Sequence, residues 1–182
     1  MPWKNGGGET VEIAVDPPDA GLDEFGWRVS MATVASDGPF SAFPGVDRTL
    51  SVLTGAGIRL DIEGHERILL DAQSDPLSFP ADVATSASLI DGAVTDLNVM
   101  TRRGVFLHTV ERHAGASSIP RWDGVRLLLC REGMLTVRTH GCDPVVLHPL
   151  DALLPNTEDP LDTAGDAGFF LIRIGKVACH FV

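Results

Sequence analysis

Apolar and polar residues alternate with period two through most of the chain, in short runs closed by Gly, Pro, Asp or Asn. A strand with one face in a core and one in solvent needs this alternation, because successive side chains point to opposite faces. Such runs cover Thr10 to Val15, Trp27 to Val34, Leu50 to Leu53, Ile58 to Ile62 and Arg67 to Leu70. Others cover Val105 to Val110, Val125 to Leu129, Met134 to Arg138, Phe169 to Ile174 and Lys176 to Phe181. No long apolar stripe at a spacing near 3.6 interrupts them, so any helix should be short. The pattern predicts an all-β chain of antiparallel strands with few short helices.

The two halves of the pattern resemble each other. A shift of about 77 residues carries Leu50 and Val52 onto Leu127 and Leu129, Ile58 and Leu60 onto Leu135 and Val137, and Gly64 onto Gly141. It also carries Ile68, Leu69 and Leu70 onto Val145, Val146 and Leu147. A duplication of this kind predicts two tandem β-barrels or sandwiches, and short glycine-bounded strand pairs suggest the cupin architecture. The boundary falls near Gly104, giving units of residues 1–104 and 105–182. Polar residues in motif-like settings concentrate in the first, which should carry the site; the second, mostly alternating aliphatics, should serve support or dimerisation.

Composition narrows the partners. With 182 residues, 44% hydrophobic and 21% charged, the chain can bury a sizeable core. A formal charge of -11 opposes phosphate backbones and anionic lipid surfaces, so neither nucleic acid nor membrane is an expected partner. Cys130, Cys142 and Cys179 are odd in number and lack a C-x-x-C spacing, which suits reduced thiols in the cytoplasm. The first residues hold no apolar leader, and no run approaches the roughly 18 apolar residues of a membrane-spanning helix.

Four segments carry candidate chemistry. Phe40-Ser41-Ala42-Phe43-Pro44-Gly45-Val46-Asp47-Arg48 sets aromatics, a hydroxyl, a carboxylate and a guanidinium around a Pro-Gly turn. It fits a ligand-binding loop, or a hairpin whose Asp47 and Arg48 face water. Trp3-Lys4-Asn5 ahead of three glycines fits a close approach of backbone to ligand, or a frayed end. On the run from Trp27, period two puts Arg28, Ser30 and Ala32 on one face, which either faces solvent or lines a barrel cavity. Trp27, Val29 and Met31 point into a core. If residues 96–103 are extended, Asn98, Met100 and Arg102 share a face that suits a carboxylate or amide; the alternative is a linker with solvated arginines.

Signals for other chemistry are weak. The six histidines form no H-x-H or H-E-x-x-H arrangement, and His108 and His113 would point to opposite faces of a strand, so neither metal nor cofactor is expected. There is no G-x-S-x-G elbow.

These motifs in this order resemble the HutD/Ves family almost from end to end. The resemblance rests on Pro2 to Gly8, Arg28-Val29-Ser30 with Ala32, Asp37 to Arg48, Asp96-Leu97-Asn98-Val99-Met100 and Arg102-Arg103-Gly104. It implies two cupin barrels in one chain, without the usual cupin metal ligands. It also implies a link to histidine utilisation, in which a pathway intermediate is bound and flux restrained. The ligand would be a small carboxylate such as urocanate or a formyl- or formimino-glutamate. Arg28 and Arg48 would pair with its carboxylate and Lys4 would add charge. Asn5, Ser41 and Asn98 would read its amide or imidazole, and Phe43 and Trp3 would pack on its flat part, with Ser30 and Arg102 nearby. The alternative is a metal-independent hydrolase or isomerase of formylated amino acids. A homodimer is a further expectation. In Phe79-Pro80-Ala81-Asp82 the family pattern leads one to expect glycine at Ala81, where a positive φ would be strained.

Overall fold

The computed structural model of the chain describes Met1, Trp3 and residues 7–178. Among these residues all regular structure is strand; there is no helix, and so none able to cross a membrane. The short helices expected from the sequence are absent among these residues, because most connections between consecutive strands are six residues or fewer and leave little room for a helix.

The chain divides into two compact units, the first ending at Phe106 and the second beginning at Leu107. The first holds β1 (Gly8–Asp16), β2 (Trp27–Val34), β3 (Gly38–Pro39), β4 (Val46–Thr54), β5 (Ile58–Ile62), β6 (Ile68–Leu70), β7 (Leu77–Pro80), β8 (Thr85–Leu89) and β9 (Val94–Arg102). The second follows with β10 (Phe106–Ala114), β11 (Ser117–Ile119), β12 (Val125–Glu132), β13 (Leu135–Thr139), β14 (Val145–Leu147), β15 (Ala152–Leu153), β16 (Leu161–Ala164) and β17 (Gly168–Lys176). Lys176 ends β17 rather than opening another strand; Val177 and Ala178 carry no regular structure, and residues 179–182 lie outside the described residues.

In the first unit one antiparallel sheet runs β1-β2-β9-β4-β7 and the other β3-β8-β5-β6. In the second the sheets run β10-β17-β12-β15 and β11-β16-β13-β14. Apart from β1, each strand of the first unit has a counterpart eight strands later in the same sheet position, so the duplication read from the pattern is present in the topology. The cores agree: Leu50, Val52, Ile58, Leu60 and Leu70 pack in the first, and Leu128, Cys130, Leu135, Val137 and Leu147 in the second.

That correspondence corrects one register. The shift of 77 holds for β5 onto β13 and β6 onto β14, but β4 maps onto β12 one residue further, Leu50 onto Leu128 and Val52 onto Cys130. The turn after β12 is a residue shorter than the turn after β4, and both strands carry a bulge just before it, between Val52 and Thr54 and between Cys130 and Glu132. Because strand faces alternate, this single residue decides which side chains point inward. It brings Arg126 to the position of Arg48.

Ala81 needs no glycine: it is absent from the positive-φ residues, and it is held by bonds from its N–H to the Val46 carbonyl and from the Phe43 N–H to its own carbonyl.

Candidate functional site

The inner face of the five-stranded sheet of the first unit is built in cross-strand rows. Arg28 on β2, Met100 on β9, Arg48 on β4 and Phe79 on β7 stand in one row. Glu12, Ser30, Asn98 and Leu50 form the next, and Thr10, Ala32, Asp96 and Val52 the third. Small Ser30 and Ala32 leave space above this face, and a cavity of about 630 Å³ opens there. Its lining takes in Trp3, Arg28, Ser30, Phe40, Ser41, Phe43, Arg48, Asp96 and Asn98. The face of β2 that the sequence left open between solvent and cavity is therefore cavity.

Arg48 is only 5% exposed. Its guanidinium carbon lies 5.4 Å from the Phe40 ring, 5.4 Å from Phe43 and 5.9 Å from Phe79, so the charge is surrounded by aromatic faces. Nη2 donates a long bond of 3.3 Å to the Ser41 carbonyl, while buried Nε has no partner among the described residues. Burial is the main cause that lowers its pKa to about 10; Asp96 opposes the fall and Arg28 adds to it. A buried donor without an acceptor is costly, and Arg48 lines the cavity, where an anion would offset that cost.

Arg28 is also 5% exposed, and it donates from Nε to Glu12 at 2.7 Å and from Nη1 to the Ser30 hydroxyl at 3.2 Å. Asp96 is 1% exposed, and its Oδ1 accepts a short bond from the Asn98 amide. Burial raises its carboxyl to about 7 against the opposing pull of Arg48 and Asn98. Asp96 did not stand out as a site residue in the sequence. The signal available was its place two before Asn98, on the same face of an extended segment.

The other expected residues divide. Ser41 and Phe43 reach the cavity from the loop between β3 and β4, where Gly45 turns the chain at a φ of 69°. Trp3 lines the cavity with its ring N–H on the Thr10 hydroxyl at 2.8 Å and its backbone N–H on the Gly8 carbonyl at 2.8 Å, so Trp3 itself is tied down. Lys4 and Asn5 lie outside the described residues. Arg102 does not join the site: its guanidinium donates to the carbonyls of Pro44, Asp23 and Phe25 and covers the Phe25 ring. Asp47 points away from Arg48 and pairs instead with Arg103 at 2.8 Å, which also grips Asp82. Within the Phe40 to Arg48 segment one charge faces outward and the other inward, as period two requires.

The second unit uses the equivalent arginine differently. Arg126 is 1% exposed, and its guanidinium donates to the carbonyls of Pro120, Thr157 and Asp159 at 3.2, 2.6 and 2.7 Å. It braces loops, whereas Arg48 lines the cavity with one long hydrogen bond, to the Ser41 carbonyl. Among the described residues no group of three or more His, Cys, Asp or Glu side chains gathers to hold a metal ion.

A family model described as HutD matches residues 1–171. The chain belongs to the HutD family. Two curated relatives of this HutD chain are an "Uncharacterized 21.2 kDa protein in hutC 3'region" of Pseudomonas putida and a "Protein Ves" of Citrobacter koseri. The first is 45% identical over 101 residues, covering 55% of this chain and 52% of the relative. The second is 41% identical over 103 residues, covering 56% and 52%. The chain thus spans about half the length of the curated relatives it matches. The solved HutD of Pseudomonas fluorescens SBW25 superposes with a TM-score of 0.84 at 29% identity over 98% of this chain and 94% of that one. A Cupin 2 conserved barrel domain protein of Leptotrichia buccalis superposes with a TM-score of 0.66 at 12% identity, over 92% and 89%, which shows a shared cupin-like fold.

Proposed function

We propose that the first unit binds a small carboxylate-bearing molecule in this cavity and that the protein is a non-catalytic sensor tied to histidine utilisation. One observation carries the reading: the buried Arg48 guanidinium lines the cavity among three aromatic rings with one long hydrogen bond, to the Ser41 carbonyl, whereas the equivalent Arg126 donates to three carbonyls. With Arg28 paired to Glu12, Arg48 faces only a carboxyl that titrates near 7, which leaves the cavity weakly cationic near neutral pH in a chain of net charge -11. A flat carboxylate such as urocanate would place its acid group on Arg48 and its ring between Phe40, Phe43 and Trp3. Asn98, Ser41 and Ser30 would serve its remaining polar atoms. The second unit supplies support, or a face for a second copy. The link to histidine utilisation rests on the family, and formate is a natural first probe because the Pseudomonas fluorescens HutD structure is described under a formate condition.

The test is a thermal-shift screen of formate, urocanate, N-formylglutamate and N-formiminoglutamate, run on the wild type and on Arg48→Met. Ligand at about 100 times its Kd stabilises by roughly 2.7 kcal/mol, or about 5 to 11 °C for a chain of this size. No shift with any of the four removes the sensor reading. A second reading has one observation in its favour: a carboxyl held near neutrality inside the cavity, as Asp96 is, suits a general acid or base. Turnover of N-formylglutamate followed by NMR would move the protein to the hydrolases.

A further inference from the structure

We propose that Asp96 is the proton-switched residue of this cavity: an anion that docks on Arg48 is bound together with one proton from solvent, which Asp96 takes up, and the carboxyl so formed donates a hydrogen bond to the anion. The proposal rests on the carboxylate-binding reading above and deepens it, since it says which protonation state recognises the ligand.

The placement supplies the argument. Asp96 lines the cavity yet is 1% exposed, and its row neighbours Ala32 and Val52 offer it no donor. The bond from Asn98 falls on Oδ1, so the bond to a ligand is assigned to Oδ2. Among the described residues the charged groups around it are few. Arg48 on β4 is the cation that favours the ionised carboxyl, and Arg28 on β2 is engaged by Glu12 of β1. The Met1 ammonium is held on the Thr10 carbonyl, and the loop from Phe40 to Phe43 brings no titratable side chain. An anion on Arg48 cancels the attraction that keeps Asp96 ionised and adds a negative charge beside it. Burial, already the larger influence on this carboxyl, is then opposed only by the Asn98 hydrogen bond, and the proton is taken up.

The sign follows. Below the carboxyl's ligand-free pKa of about 7 Asp96 already carries its proton, and affinity is independent of pH. Above it, each binding event draws a proton from solvent, and affinity falls by up to about tenfold per pH unit. Asp96→Asn presents an uncharged side chain that can donate at every pH. It should bind tighter than the wild type above about pH 8 and show a flat profile.

Calorimetric titration of the intact protein with urocanate and with N-formylglutamate at about pH 8, in HEPES and in Tris, reads the linkage directly. Uptake of close to one proton makes the measured enthalpy differ between the buffers by the difference in their ionisation enthalpies. Equal enthalpies in both buffers with clear binding overturn the proton switch and leave the carboxylate site standing, as does Asp96→Asn keeping the wild-type pH dependence. No binding of either probe, with no thermal shift, removes the site and the switch together. Should Asp96→Asn fail to fold, the two-buffer comparison on the wild type decides alone.

Discussion

Replacing Arg48 by methionine should stabilise the ligand-free protein, and the same change at the equivalent Arg126 should destabilise it. Burial pulls the Arg48 pKa from 12.5 to about 10. At about 1.4 kcal/mol for each tenfold, the charged guanidinium carries a penalty on the order of 3 kcal/mol at neutral pH. Against that stand three ring contacts of about 0.5 to 1 kcal/mol each and one long hydrogen bond of under about 1 kcal/mol. Methionine keeps most of the packing and gains sulfur contacts with the same rings, about 0.3 to 1.5 kcal/mol. The balance favours the variant by about 1 kcal/mol, a rise of roughly 2 to 4 °C in Tm, together with complete loss of carboxylate binding. In Arg126→Met the carbonyls of Pro120, Thr157 and Asp159 lose their donor. At about 1 to 3 kcal/mol for each orphaned group, the cost is at least about 3 kcal/mol and the fall in Tm roughly 6 to 12 °C. Differential scanning fluorimetry near pH 7, with urea unfolding to convert Tm into free energy, measures both. If Arg48→Met falls as far as Arg126→Met, the Arg48 guanidinium is a structural brace like that of Arg126 and not a group held for an anion.

Asp96→Asn should stabilise the empty protein in a pH-dependent way. The folded carboxyl titrates near 7 and the unfolded one at 3.8, so the folded state holds the extra proton and wild-type stability falls as pH rises between those values. Urea unfolding should therefore show a gain of up to roughly 4 kcal/mol above pH 7 and almost none below about pH 4, and an equal gain at both would refute the assignment. Arg102→Ala should lower Tm, because three carbonyls lose their donor, yet leave carboxylate affinity within about twofold in the calorimeter. In Gly8→Ala the new Cβ would stand 2.1 Å from the Thr33 carbonyl oxygen. The start of β1 must shift, which should remove about 1 to 3 kcal/mol in urea unfolding and, by displacing Trp3, weaken carboxylate binding.

The strands legible in the sequence are those with one wet and one dry face, such as β5, whose burial alternates residue by residue. β9 was harder to read because Asp96, Leu97, Val99, Met100 and Thr101 are all buried, so its two faces look alike. β3 and β15 are two residues each, too short for any period to register. Of the candidate site, the cavity face of β2 and the inward Arg48 follow from period two once a barrel is assumed. Arg102 looked equivalent to Asn98 by the same rule, but at the end of β9 its long side chain turns to three nearby carbonyls.

The amino-acid pattern by itself determined an all-β chain, its duplication and the family, because alternation, turn residues and motif order are local properties of the chain. Only the tertiary structure decided which of two matching arginines is braced by carbonyls and which lines a cavity. Arg48 and Arg126 sit at the same place in the repeat, and their fates differ through the backbone carbonyls of Thr157 and Asp159, brought to Arg126 from a loop some thirty residues away, and of Pro120, six residues before it. The same holds for Asp96. Its neighbours in the chain make it an ordinary polar residue, and its titration near neutrality arises only where β2, β4 and β9 bury it within reach of Arg48.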